Sequence, residues 1–281
     1  MIIDFHTHTF PDAIAAKAIA GMQANNHAAA FGSGTVDGLL ESMAQGGICC
    51  SVVLPVATNP LKISSINDKI IREAKSQHVV NFGAVHPLAE NWKEELDRLH
   101  TAGVPGIKIH PQYQGVDITD IRYLRILDHA AQLGLITVTH AGNEIAYPGV
   151  VRCSPEMIRK VCNELGNIPL VLAHMGGWKN WERVADQLCD TGCYLDTAIS
   201  LGQIVPLPDG HYAPSDLPLL GPEEFVSLVR AFGSQRILFG TDSPWADQKA
   251  EAEAIAALPL EQAEIQNILY CNAARLLQRN P

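Results

Sequence analysis

The 281-residue chain lacks the features that mark several common protein classes. No apolar run reaches the roughly 18 residues that a membrane span needs, so we expect no transmembrane helix. The chain does not begin with a basic stretch followed by an apolar one, and we therefore expect no signal peptide and a cytoplasmic location. Internal repeats and low-complexity tracts are also absent, which favours one domain over residues 1–281.

Positive charge is scarce as well. The chain has 20 lysine and arginine residues against 30 aspartate and glutamate residues, for a formal net charge of −10. Because a nucleic-acid-binding surface needs a basic patch, this balance argues against such a partner. We expect a small-molecule substrate, no nucleic acid and no membrane, and the sequence leaves a homo-oligomer open.

Cysteine is present without a disulfide pattern. The count is seven, an odd number, and the residues lie in helical or strand runs. Cys189 and Cys193 are four residues apart, yet no second pair accompanies them as a thiolate metal site would require. We predict buried free thiols, with disulfides or a thiolate metal site as the alternatives.

The order of apolar runs predicts the fold. Short β-branched runs alternate with helical signals, and 47% hydrophobic residues suffice for one large core. The predicted strands are Ile2–Phe5, Cys50–Val56, Val80–Val85, Gly106–Ile109, Leu135–Thr139, Pro169–Ala173, Tyr194–Thr197 and Arg236–Phe239. Eight such alternations predict an α/β fold, a single (β/α)8 TIM barrel, whose usual size is about 250 residues. An open doubly wound sheet is the alternative, but no glycine-rich phosphate loop follows the first strand.

Helix boundaries and long connections follow from local signals. Asn91 with Glu94 predicts a capping box, Ser154 followed by Pro155 predicts another helix start, and glycines such as Gly166 predict helix ends. The connections Thr9–Thr35 and Ser200–Leu220 are unusually long. Long loops after strands 1 and 7 are candidates for pocket walls or a lid, and surface elaboration is the alternative.

Two histidines one residue apart, His6 and His8, end the first predicted strand. Since side chains alternate along a strand, both imidazoles face the same side. Neutral histidine is a common zinc ligand, so the pair predicts half of a metal site, although His-x-His also occurs by chance.

Other ligand-type residues also fall at predicted strand ends, where the chemistry of such barrels lies. His140, His174 and Asp242 end strands 5, 6 and 8 and are followed by small residues. His6, His8, His140 and Asp242 together would suit one divalent ion, preferably Zn²⁺, with an open position for water. Alternatively, Asp242 caps a turn and His174 is a core histidine.

These segments, taken in order, resemble the amidohydrolase superfamily, and more narrowly its amidohydrolase-related branch of hydrolases and decarboxylases. The segments are Asp4-Phe5-His6-Thr7-His8, Gly106-Ile107-Lys108-Ile109-His110-Pro111, the His140 strand, Ala173-His174-Met175-Gly176-Gly177-Trp178, Leu238-Phe239-Gly240-Thr241-Asp242-Ser243-Pro244-Trp245 and Asn272–Leu277. The resemblance implies that His6, His8, His140 and Asp242 bind the metal and that His174 moves protons or holds substrate beside it. One metal is expected, because that branch usually has one. A second metal bridged by a carboxylated Lys108 is the alternative.

The remaining candidates surround the predicted strand ends. Lys108 and His110 should face the barrel interior by alternation. The residues that could contact substrate are Lys108, His110, Tyr113, Arg152, Trp178 and Trp245, with Gln114 and Glu144 as further lining candidates. Ordinary loop packing is an equal alternative for those on loops.

The expected activity is metal-dependent hydrolysis of a small-molecule amide, lactone or related carbonyl bond. By the resemblance, Asp242 acts as ligand and base, with His174 beside the metal. The alternative is nonoxidative decarboxylation of an unsaturated or aromatic carboxylic acid. That reaction needs a carboxylate anchor, ideally an arginine, and Arg152 is the one arginine in the predicted strand-to-helix loops. Weaker cationic candidates are Lys62, Lys179 and Lys249. A barrel without activity and a phosphoesterase are weaker options.

Overall fold

The computed structural model describes residues 1–73 and 78–278, in which strands and helices alternate along the chain. The strands are β1 (Ile3–Thr7), β2 (Cys50–Val53), β3 (Val79–Asn81), β4 (Gly83–Ala84), β5 (Gly106–Ile109), β6 (Ile136–Thr139), β7 (Leu170–Leu172), β8 (Tyr194–Asp196) and β9 (Ile237–Leu238). The helices are α1 (Asp12–Asn26), α2 (Val36–Gly46), α3 (Ile63–Glu73), α4 (Trp92–Thr101), α5 (Pro111–Gln114), α6 (Ile121–Gln132), α7 (Pro155–Leu165), α8 (Trp181–Leu188), α9 (Pro222–Phe232), α10 (Gln248–Ala256), α11 (Gln262–Gln266) and α12 (Asn272–Leu276). None of these described helices is long and apolar enough to cross a membrane.

The chain forms two compact units. The terminal unit comprises Met1–Ser51 and the chain from Asp196 onward, and the central unit comprises Val52–Leu195. The boundaries between them fall within β2 and β8.

The central unit contains a parallel sheet in which β4, β5, β6, β7 and β8 are neighbours in chain order. The register places Lys108 opposite Val138, Val138 opposite Val171, and Leu172 opposite Leu195. β5, β6 and β7 are buried along their whole length, which is typical of a parallel sheet covered on both faces. The carboxyl ends of these strands therefore lie at one edge.

The terminal unit is organised around the fully buried β1. The amide of Cys49 donates to the carbonyl of Ile2 at 2.9 Å, and the amide of Phe5 donates to the carbonyl of Phe239 at 2.7 Å. Beyond the end of β9, the amide of Asp242 donates to the carbonyl of His6 at 2.7 Å. This bond brings the residues after β9 beside the carboxyl end of β1.

The structure divides one predicted strand. Val80–Val85 is not continuous, because Phe82 separates β3 from β4. Immediately after it, Gly83 packs so closely on α4 that a Cβ there would lie 2.2 Å from Cδ1 of Leu99. Any larger residue at this position would therefore require the Leu99 side chain to move.

The predicted helix starts have different outcomes. Ser154 caps α7, since its hydroxyl accepts from the amide of Met157 at 3.3 Å, with Pro155 in the first turn. The predicted capping box at Asn91 is wrong, because the Asn91 side chain makes no capping bond. Its amide instead donates to the Ser64 hydroxyl at 2.9 Å.

The two long connections contact each other within the terminal unit. Thr9–Thr35 contains the helix α1, which the sequence analysis did not predict. The amide of Ala29 donates to the carbonyl of Val205 at 2.8 Å, and Nδ1 of His27 lies 2.8 Å from the Asp209 carboxylate. That these loops wall a substrate pocket stays a prediction.

All seven cysteines are free thiols, as predicted, but only some of them are buried. Cys50, Cys153 and Cys193 are buried, whereas Cys271 is exposed and the other cysteines are partly exposed. The prediction of buried thiols is therefore correct for part of the set.

A buried polar network joins α3, β4 and α4 in the central unit. Asn67, which is fully buried, donates to the carbonyl of Ala84 at 3.0 Å and accepts from the amide of the same residue at 2.9 Å. It also donates to the buried carboxylate of Glu95 at 2.9 Å. The Asn67 side chain thus satisfies both backbone groups of Ala84 in the short strand β4.

We expect Asn67→Ala to destabilise the protein by about 3 kcal/mol, since it leaves three buried polar groups without this partner. Urea unfolding would measure the loss. The matched control is Asn91→Ala, which removes an exposed asparagine with one hydrogen bond and should cost about 0.5 kcal/mol or less. Equal losses in the two variants would contradict the role of the network.

Candidate functional site

The terminal unit brings three predicted ligands together. His6 and His8 end β1, and their Nε2 atoms lie 3.2 Å apart. Oδ1 of Asp242 lies 2.8 Å from Nε2 of His8 and 3.5 Å from Nε2 of His6. His6 is buried, while His8 and Asp242 are partly exposed, with side chains 17% and 16% accessible. The prediction that His6 and His8 face the same side is confirmed, and we call this group the terminal trio.

Asp196, at the end of β8, orients His6. Its Oδ2 lies 2.8 Å from Nδ1 of His6, and both side chains are almost completely buried. A carboxylate at this distance accepts the proton of Nδ1, so the lone pair of the neutral ring is on Nε2, the atom that faces Asp242. The structure thus fixes the tautomer that a metal ligand requires.

The backbone of Asp242 has a positive φ of 67°, a conformation that residues other than glycine seldom adopt. The adjacent segment is anchored by Asp4, which accepts from the Thr241 hydroxyl at 2.6 Å and from the Gln248 amide at 2.7 Å. Burial raises the pKa of Asp4 to about 7, although these hydrogen bonds oppose the rise. Buried bonds to Asp4 therefore help to hold the strained turn that presents Asp242.

The terminal trio has the donor chemistry of a divalent-metal site. Two imidazole nitrogens and a carboxylate oxygen converge within 3.5 Å of one another. Nitrogen and carboxylate ligands suit Zn²⁺, and a carboxylate behind a ligating histidine is the usual support for such a site. The residues present therefore fit a metal ion.

The central unit contains a second cluster at the ends of β5 and β6. The rings of His110 and His140 stack with centroids 4.2 Å apart. Oε2 of Glu144 lies 3.3 Å from Nε2 of His110 and 3.6 Å from Nδ1 of His140, and Nε2 of His174 lies 3.0 Å from Nδ1 of His140. We call these four residues the central cluster.

Two observations assign the proton of His140. Burial, with smaller contributions from the neighbouring His110, His174 and Lys108, holds the pKa of His140 well below its ordinary range, so the ring is neutral. Its Nε2 lies 2.9 Å from the carbonyl oxygen of Asn143, which can only accept. Nε2 therefore carries the proton and Nδ1 the lone pair, which faces His174 in this structure.

His174 itself has a positive φ of 59°, and its carbonyl accepts from Nε1 of Trp181 at 2.9 Å. Lys108 on β5 is buried, with 1% of its surface accessible, and its charge helps to lower the pKa of His140. The expectation that Lys108 is unmodified and paired with a carboxylate or a substrate anion stays a prediction.

The other candidate substrate residues separate into two groups. The Tyr113 ring lies 4.2 Å from the His110 ring, and its hydroxyl lies 3.5 Å from Glu144, so Tyr113 belongs beside the central cluster. Trp178 is buried and follows the His174 turn. Arg152 instead forms an ion pair with Asp117 at 2.8 Å on the surface. Trp245 is partly exposed, and its amide donates to the carbonyl of Asp242 at 2.9 Å.

Gln114 forms hydrogen bonds with backbone carbonyls of the loops. It donates to the carbonyls of Ala57 and Val85 and accepts from the hydroxyl of Tyr123. These contacts give Gln114 a structural role. That it also lines a substrate pocket stays a prediction.

Sequence analysis missed Asp196 and Asp4 as supporting residues. Asp196 ends a predicted strand, so an acidic side chain at a strand end was the available signal. Its partner His6 is 190 positions away in sequence, and no local pattern links the two.

Comparison with known families shows that the family model described as Amidohydrolase matches residues 3–279. No curated protein matches the sequence.

Solved structures match the chain over nearly its whole length. An uncharacterized TIM-barrel protein from Bordetella bronchiseptica is 19% identical with a TM-score of 0.77, covering 99% of this chain and 98% of that one. A dihydroxybenzoic acid decarboxylase from Polaromonas, bound to manganese and the inhibitor 2-nitroresorcinol, is 14% identical with a TM-score of 0.68, covering 99% and 96%. A candidate 2-pyrone-4,6-dicarboxylic acid hydrolase from Pseudomonas putida is 14% identical with a TM-score of 0.64, covering 99% and 97%. These likenesses show the fold and confirm the predicted TIM-barrel class.

We expect Asp196→Asn to weaken metal binding about 10- to 100-fold, because the amide no longer fixes the proton on Nδ1 of His6. Chelator competition with Zn²⁺ would measure the change. Asp209→Asn is the matched control, since Asp209 makes the same 2.8 Å contact with Nδ1 of His27 outside the terminal trio. Unchanged affinity in Asp196→Asn would refute the orienting role of Asp196.

Proposed function

Because the chain belongs to the amidohydrolase family, we propose that it is a metal-dependent hydrolase of a small-molecule amide, lactone or related carbonyl bond. It works as a single domain over residues 1–281, in the cytoplasm, on a small molecule. Neither nucleic acid nor membrane is a partner, and homo-oligomers remain open. The resident ion is one divalent metal, with Zn²⁺ preferred on ligand chemistry. Manganese, which is bound to the Polaromonas decarboxylase, is the competing ion.

The observation that carries the proposal is the convergence of His6, His8 and Asp242, with Asp196 behind His6. A divalent ion held there would polarise a carbonyl and lower the pKa of a water from 15.7 to about 7. His140 is the fourth ligand expected from the sequence, and its participation stays a prediction. To serve as a ligand through Nδ1, His140 must give up its contact with His174.

Asp242 accepts the proton of the attacking water on its carboxylate and passes it to the leaving group. Its strained turn and the buried bonds to Asp4 keep the carboxylate in place, so little reorganisation accompanies the transfer.

His174 holds the attacked oxygen of the substrate through Nε2, the atom that faces His140 in this structure. The bond between its carbonyl and Trp181 fixes the strained turn that aims the ring. Tyr113, beside His110 and Glu144, contributes a hydroxyl to the same cluster.

Decarboxylation is the second candidate, favoured by the similarity to the dihydroxybenzoic acid decarboxylase. It requires an anchor for the substrate carboxylate. Arg152 is paired with Asp117, and the buried Lys108 is the cation that we assign to this role ahead of Lys62, Lys179 and Lys249. Glu144 in the central cluster would repel a substrate anion, and on this balance hydrolysis is preferred.

Purified protein should contain close to one equivalent of a transition metal, and both His6→Ala and His140→Ala should remove it. Elemental analysis measures this directly. His211→Ala, which changes an exposed histidine of the terminal unit, is the control and should keep its metal. Loss in His6→Ala with retention in His140→Ala would remove His140 from the ligand set.

His174→Asn should keep the metal and lower turnover about 100-fold, because the side chain that holds the attacked oxygen is lost. Lactones and amides should be screened beside aromatic and unsaturated carboxylic acids, with acid release and carbon dioxide followed separately. His100→Asn, at an exposed position of α4, is the control. Carbon dioxide release without hydrolysis would reverse the ranking of the two reactions, and metal loss in His174→Asn would make His174 a ligand.

A further inference from the structure

Two cysteines that are far apart in sequence face each other in the central unit. Sγ of Cys162 on α7 lies 3.5 Å from Sγ of Cys193, which directly precedes β8. Neither forms a disulfide in this structure. A disulfide is about 2.05 Å long, so a movement of about 1.5 Å, within reach of side-chain rotation, would join them.

The two thiols differ in accessibility. Cys193 is 2% exposed, and its amide donates to the Thr191 hydroxyl at 3.3 Å, so its position is fixed by the preceding turn. Cys162 is partly exposed on its helix. A small oxidant in solution therefore reaches Cys162 first, with Cys193 behind it.

The surroundings of Cys162 also favour its reactive form. The hydrogen bond with Cys193 lowers the pKa of Cys162, and the nearby Arg159 guanidinium acts in the same direction, against burial and the Asp190 charge. Arg159 is itself paired with Asp190. Because the thiolate is the nucleophile, Cys162 is the member of the pair that reacts.

Two other cysteines lack this combination. Cys153 is fully buried, and burial raises its pKa to about 12, so it stays a thiol at neutral pH. Cys271 is exposed on the π-helical turn Asn267–Cys271, in the other unit.

We propose that Cys162 and Cys193 form a peroxide-reactive dithiol that closes reversibly to an intramolecular disulfide. The Cys162 thiolate attacks one peroxide oxygen and the O–O bond breaks, which gives a sulfenic acid at Cys162 and releases hydroxide. The Cys193 sulfur then attacks the Cys162 sulfur and the S–O bond breaks, which releases water. In sum, two thiols are oxidised to one disulfide while one hydrogen peroxide is reduced to two waters.

The disulfide would close a loop that contains β7, the His174 turn and α8. Oxidation would therefore tie α7 to the start of β8, around the segment that presents His174. This modification site is independent of the proposed hydrolytic activity, since it needs neither metal nor substrate.

The test exposes the folded protein to a slight excess of hydrogen peroxide at low protein concentration, followed by alkylation, trypsin and a protease that cuts before aspartate. Cleavage before Asp190 separates Cys189 from Cys193. We expect the peptide containing Cys162 to be joined to Asp190–Leu195, with five of the seven thiols left and full recovery on reduction. A Cys162–Cys189 link, or seven thiols remaining, would overturn the proposal.

Variants then assign the roles of the two sulfurs. In Cys193→Ser the sulfenic acid at Cys162 has no resolving thiol, so dimedone should label Cys162. Cys162→Ser should form no disulfide, and the control Cys271→Ser should form it as the parent does. Label on Cys193 in Cys162→Ser at the rate of Cys162 in Cys193→Ser would refute the order of attack. If Cys193→Ser does not fold, peptide mapping of the parent protein and of Cys162→Ser still decides the pairing.

Discussion

The contact between Asp196 and His6 is the interaction on which the candidate metal site depends. Oδ2 of Asp196 at 2.8 Å from Nδ1 decides which nitrogen of His6 carries the proton. Without this contact, the proton of the buried ring could be on either nitrogen. A protonated Nε2 has no lone pair with which to bind a metal. The carboxylate also supplies negative charge behind the ring, which strengthens Nε2 as a ligand. Both side chains are buried in the terminal unit, which excludes water from them and limits their movement.

Much of this arrangement could be predicted from the sequence. The alternation of side chains along a strand shows which residues face the same side, and the order of strands shows which residues meet at one edge of the sheet. Alternation along β1 placed His6 and His8 on one side. The rule that chemistry lies at the carboxyl ends of strands selected His140, His174 and Asp242 from the other candidates. The match of the Amidohydrolase family model to residues 3–279 confirms the resemblance derived from these residues.

What could not be predicted depends on contacts between distant segments. Asp196 becomes significant only when folding places it beside His6, and Cys162 only when α7 packs beside the turn before β8. Local rules also failed where packing outweighed them. The Asn91 side chain bonds to Ser64 instead of capping its own helix, since that hydrogen bond joins two packed helices. The predicted third strand is interrupted at Phe82, just before Gly83 contacts Leu99 of α4. The pattern of apolar residues does not reveal such an interruption.

The charges of the central cluster bear on which carbonyl compounds the protein would select. Lys108 contributes one buried positive charge, and Glu144 contributes a carboxylate against His110 and His140. His140 is neutral and adds no positive charge. The proposed reaction at an uncharged amide or lactone bond is compatible with this set, because an unpaired charge moved into a buried cluster would lose its hydration. A substrate carboxylate in this cluster would be attracted by Lys108 and repelled by Glu144. The position of that anion relative to Lys108 therefore separates a lactone or amide hydrolase from a decarboxylase built on the same fold.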